Sequence, residues 1–118
     1  MNTHQEAIDK RWTDLQQALK AQFGQDVDTT SALFLVGVQE AGQGFGNFSR
    51  EEKWNLIHLG GARVLSYWGY FSHHGTNPKS GLPHWEPAWE KPAPDDQKRE
   101  ALFREGLVKY FEEMGYDF

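Results

Sequence analysis

All five prolines of this chain fall between Pro78 and Pro94. Proline lacks an N–H and its ring clashes with the preceding turn, so it breaks helices and is excluded from central strands. The chain is thereby divided into a long proline-free stretch, an interrupted segment and a short proline-free end. From Phe71 to Asp95 the prolines are joined by glycines and two tryptophans, Trp85 and Trp89. No long regular element is expected there, and the segment reads as a long structured loop.

The proline-free parts carry helical signals. From His4 to Phe23 the apolar residues Ile8, Trp12, Leu15, Leu19 and Phe23 recur at steps of three and four, which predicts an amphipathic helix closed by Gly24. The run 32–38 is apolar on every side, and period alone does not separate a buried strand from a buried helix. The cap-forming types Asp28, Thr29, Thr30 and Ser31 before it, and Gln39-Glu40-Ala41 after it, favour a helix. Ser49 and Glu52 have capping-box spacing, so a third helix is expected to start at Arg50. Its apolar residues cover nearly the whole circumference, and it should end at Trp68-Gly69-Tyr70. A last helix is expected from Asp96 to Met114, with Leu102, Phe103, Leu107, Tyr110, Phe111 and Met114 as its buried stripe.

These elements predict an all-α fold: a compact four-helix domain with a central apolar third helix and a long Pro/Trp-rich structured loop before the last helix. The 118 residues suit one hydrophobic core, so 1–118 is read as a single all-helical domain. Gly37, Gly60 and Gly61 lie inside predicted helices, where glycine is unfavourable unless backbones need to approach closely. A close crossing of the second and third helices through Gly37 and Gly60 or Gly61 is expected.

Charge and composition exclude several functions. A formal charge of −5 disfavours nucleic acid and anionic membrane surfaces as partners. The absence of cysteine excludes disulfides, thiolate metal sites and cysteine nucleophiles. Met1 to Leu19 mixes charged with apolar residues, so neither a signal peptide nor a membrane span is expected, and the chain reads as soluble and cytoplasmic. Aromatic residues make up 14% of it, which is compatible with a homodimer.

Three groups of residues are candidates for function. Gln39, Glu40, His58 and Arg63 are polar residues on the helices expected to be most buried. They form a candidate ligand pocket between the second and third helices or, alternatively, a satisfied structural network. Within this group His58 is expected to be desolvated and to pair with Glu40. Trp85 and Trp89 form a candidate interaction loop; clamping onto the bundle is favoured over display, because large apolar groups tend to be hidden. His73, His74, His84 and Glu86 carry possible metal donors, but adjacent histidines followed by His-x-Glu match no metal motif, so no metal is expected. Gly42, Gly44 and Gly46 read as an interhelical turn rather than a phosphate cradle, because Glu51 and Glu52 follow in the next helix.

No nucleophile–base pair or phosphate loop has a specific spacing, and no cofactor is expected. A noncatalytic interaction or structural module is the expected function, its protein partner or small molecule unidentified. The alternative is a small-ligand-binding protein or minor enzyme using the polar pocket between the second and third helices.

Overall fold

The computed structural model describes residues 3–42, 44 and 46–118. Among these the chain forms four helices and one two-stranded antiparallel sheet, in the order α1 (Thr3–Phe23), α2 (Thr29–Ala41), α3 (Arg50–Leu65), β1 (Phe71–Thr76), β2 (Pro83–Pro87) and α4 (Asp96–Glu113). A single 3₁₀ turn, Ser66–Trp68, follows α3.

Side-chain caps start three of the helices where the sequence places them. The Asp28 carboxylate accepts from the Ser31 N–H at 2.8 Å, and Asp95 accepts from Lys98 N–H at 2.8 Å. Ser49 and Glu52 close a reciprocal capping box at 3.1 and 3.0 Å. Each cap satisfies an N–H that the first turn leaves without a helical partner. At the far ends, Gly69 and Gly115 adopt left-handed backbone, and the next residue folds back: Tyr70 N–H donates to Leu65 O and Tyr116 N–H to Phe111 O. Helix α3 therefore stops at Leu65, four residues earlier than the glycine signal alone suggests, with the 3₁₀ turn bridging the gap. The Gly-x-Gly-x-Gly turn includes Gln43 and Phe45, which lie outside the described residues; its first glycine, Gly42, is the left-handed cap of α2.

Helices α2 and α3 pack through two glycines. A Cβ built on Gly37 would lie 2.6 Å from the Leu56 carbonyl carbon, and one on Gly60 2.9 Å from the Leu33 carbonyl carbon, with the carbonyl oxygens closer still. No side chain fits at either place, so the backbones themselves are in contact. Gly61, next in sequence, faces the Phe103 ring of α4 at 3.7 Å instead.

The main core joins α1, α2, α3 and α4 through Trp12, Leu15, Leu19, Val36, Val64 and Leu107, with Tyr110 and Phe111 completing it. A smaller cluster of Val38, Leu56 and Leu59 is covered by Phe34, Phe48 and Trp85. Met114 was expected in the buried stripe and is instead 44% exposed, because α4 ends at Glu113 and the chain turns away.

The interrupted segment is not wholly irregular, which corrects the all-α expectation: broadly helical, the chain also carries a hairpin. Phe71 pairs with Pro87, Ser72 with Glu86 and His73 with Trp85, and a bulge separates these from the Thr76–Pro83 pair. Prolines are tolerated because both strands of a two-stranded sheet are edges. Such a hairpin is marginal alone. Here it is held by the Ala88 N–H, which donates to Tyr70 O at 2.9 Å, and by Trp85 on the smaller core cluster.

Candidate functional site

The polar candidates on α2 and α3 do not share one pocket. Arg63 Nε lies 3.2 Å from Glu40 Oε1, and the Tyr110 hydroxyl donates to Glu40 Oε2 at 2.9 Å. The Arg63 guanidinium also lies over the Tyr67 and Tyr110 rings, 4.9 and 5.4 Å from their centroids. Tyr67 in turn donates to Glu113 at 3.0 Å. The result ties α2, α3 and α4 together with both carboxylate oxygens of Glu40 occupied. Burial, more than any neighbour, pushes the Tyr67 phenol up to about 12, with Glu113 adding to the rise and Arg63 opposing it. Burial also raises Tyr110 strongly, followed by its bond to Glu40. Both phenols are thus fixed as neutral donors across the physiological range.

Gln39 is exposed, and so is His58, contrary to the expectation that it is desolvated beside Glu40. The His58 ring sits against Trp54 at 6.1 Å on a different side of α3. At 3.6 residues per turn, residues five apart, such as His58 and Arg63, project on different faces of the helix. Glu40 takes Arg63 and Tyr110 as partners instead.

What His58 does line is an open cleft of about 650 Å³ between α2, α3, the hairpin and α4. Its floor is made by buried apolar residues, Leu33, Leu59, Ala62 and Leu65, and its walls by Phe71, Trp85 and Phe103. The hollow exists because α3 presents Gly61 and Ala62 here: without larger side chains the helix leaves the space between Phe103 and the hairpin unfilled. Exposed polar residues, Thr30, Asn55, His58, Ser80, His84 and Arg99, form the rim. Trp54, also a lining residue, is 50% exposed. Among the described residues, Trp85 Nε1 is the one buried side-chain polar atom without a hydrogen-bond partner. A buried donor left in this state costs about 1–3 kcal/mol.

The two tryptophans of the loop divide the roles proposed for them. Trp85 is clamped against the Val38–Leu56–Leu59 cluster, whereas Trp89 is 87% exposed. Display of Trp89, which lies two residues beyond the end of β2, corrects the expectation that both hold the loop down. The loop histidines also separate. His73 lies against Trp85 with ring centroids 5.1 Å apart and the planes tilted by 41°, while His74 and His84 approach Glu86 at 3.6 and 3.3 Å. Among the described residues no three His, Asp or Glu side chains are arranged to hold a metal ion.

Several cleft residues escape a reading of the sequence: Phe71 and Leu82 come from the hairpin segment and Arg99 and Phe103, four residues apart, from α4, and only the fold brings the two groups to one cleft. The small pair Gly61-Ala62 was the available signal, and it reads equally well as a helix contact. Compared with known protein families, curated proteins and solved structures, the chain matches none. No helix among the described residues is long and apolar enough to cross a membrane.

Proposed function

We propose that this chain is a noncatalytic binding module whose cleft takes a small ligand with an apolar body. The observation that carries this reading is the cleft itself: about 650 Å³, with an apolar floor and aromatic walls. Ligand sites have volumes of roughly 300–1,000 Å³, mostly apolar linings and a few polar groups for orientation. The bonded pair Glu40 and Tyr110 lies away from the cleft, and the imidazoles on the cleft rim, His58 and His84, have no aspartate, glutamate or tyrosine beside them on the lining to work with. Binding without chemistry therefore fits the arrangement better than catalysis.

The test is a titration with the neutral fluorophore N-phenylnaphthylamine, whose emission rises in apolar surroundings. Saturable binding at micromolar concentrations is expected, weakened severalfold by Asn55→Trp, which adds bulk at an exposed position on the rim. Absence of binding, or equal binding by the variant, contradicts the reading. The displayed indole of Trp89 favours a second reading, the docking of a protein partner, since exposed tryptophans often anchor interfaces. On that reading Trp89→Ala abolishes partner binding and leaves the affinity of the cleft for the fluorophore unchanged.

A further inference from the structure

We infer that the ligand of the cleft is a small amphiphilic acid, an apolar body carrying one carboxylate, sulfonate or phosphate; this rests on the binding reading above. The chain has 17 acidic residues against 12 lysines and arginines, and its summed field repels anions. The cleft is a local exception. Among the described residues that line it there is no aspartate or glutamate, yet three different elements contribute a basic side chain: His58 from α3, His84 from β2 and Arg99 from α4.

This pattern discriminates between ligand classes. A cation entering the cleft would meet a guanidinium and two imidazoles and find no carboxylate on the lining. A wholly apolar molecule would use the floor and leave the basic rim without a role. An acid group at one end of an apolar body uses both, with its body on Leu33, Leu65 and Phe103 and its oxygens accepting N–H bonds at the rim. The volume limits the body to the size of a small molecule rather than a folded partner.

The basic groups are available for this role. Arg99 Nη2 donates to Asp96 at 2.6 Å, but Asp96 is on the outside, 93% exposed, and a guanidinium has further donors on Nε and Nη1. His84 lies 3.3 Å from Glu86, both about half exposed. Exposed pairs of this kind are weak and exchange readily with solvent or a competing anion. Asp96 beside Arg99 and Glu86 beside His84 are the carboxylates paired with these rim groups, and neither lines the cleft.

The experiment compares two fluorophores with closely related aromatic bodies, anilinonaphthalene sulfonate and neutral N-phenylnaphthylamine, on the intact chain. The sulfonate is expected to bind about tenfold more tightly, the scale of one charge-assisted hydrogen bond. Arg99→Gln should remove most of that advantage by weakening the sulfonate far more than the neutral probe, and Arg99→Lys should restore part of it. Arg99 is exposed, and an unchanged circular dichroism spectrum of each variant checks the fold. Equal affinity for the two probes, or an advantage that survives Arg99→Gln, overturns the inference while the cleft reading stands. Failure of both probes to bind overturns the cleft reading as well.

Discussion

Replacing Gly37 by alanine adds one methyl group at the place where α2 and α3 touch. In an open helix the change would stabilise by up to about 1 kcal/mol, because alanine restricts the unfolded chain and favours the helix. Here the new Cβ would lie 2.6 Å from the Leu56 carbonyl carbon. Carbon atoms in contact are about 3.5–4.0 Å apart, so the helices would have to separate by about 1 Å. Backbone offers no rotamer to relieve the overlap, and separation loosens the packing of Leu33, Leu56 and Leu59. Overpacking of this kind costs about 1–3 kcal/mol, which outweighs the propensity gain. Gly60→Ala meets the Leu33 carbonyl in the same way. Gly61→Ala is the internal control: its Cβ would meet the Phe103 ring at 3.7 Å, ordinary contact, so the propensity term wins and the protein gains about 0.5–1 kcal/mol. Urea denaturation followed by circular dichroism measures all three. Adjacent glycines are thus expected to give opposite signs; Gly37→Ala or Gly60→Ala as stable as the parent would refute the backbone-contact argument.

Other substitutions and titrations probe separate parts of the account. Trp85→Ala should destabilise by about 2 kcal/mol through lost packing on Leu56 and Leu59, whereas Trp89→Ala should change thermal stability by less than about 0.5 kcal/mol. Tyr67 should ionise near pH 12 by ultraviolet absorbance. Because its folded pKa lies above the ordinary 10.0, its contribution to stability is complete below pH 10 and is lost as pH rises towards 12. Asp28 has the opposite sign: the Ser31 N–H holds its pKa below 3.8, so its contribution is present above that pH and lost as pH falls through the folded value. Asp28→Ala should cost about 1 kcal/mol at neutral pH by chemical denaturation.

Local signals in the sequence served the helices well. Asp28, Ser49 with Glu52, and Asp95 start helices where their side chains predict, because a cap depends on residues only three positions apart. The close crossing at Gly37 and Gly60 was legible for a related reason: glycine inside a helix is unfavourable without a compensating contact. The hairpin was not legible. Its first strand, Phe-Ser-His-His-Gly-Thr, has one large apolar residue and no alternation, and its second begins and ends in proline. Both strands are set by pairing with each other and by Trp85 on α3, interactions that no local period records.

The candidate site divides along the same line. That Glu40 and Arg63 needed partners followed from their helices, and they partner each other. Tyr110, which completes the arrangement, is brought to Glu40 by the position of α4, 70 residues away in the chain. Placing His58 in that network failed because α3 is apolar over most of its surface, and part of that surface lines an open cleft instead of dry core. Trp54, on the same helix, is half exposed at the edge of that cleft.

The central claim is that the cleft between the hairpin and α3 is where this protein binds its ligand, and the indole N–H signals of the five tryptophans test it directly. Trp54 and Trp85 line the cleft; Trp12 is buried in the main core and Trp89 is displayed at the surface. In two-dimensional NMR spectra of the labelled protein titrated with anilinonaphthalene sulfonate, the Trp54 and Trp85 signals should shift in step with probe binding while those of Trp12 and Trp89 stay in place. Shifts concentrated at Trp89 or Trp12, with Trp54 and Trp85 unmoved, would contradict the claim.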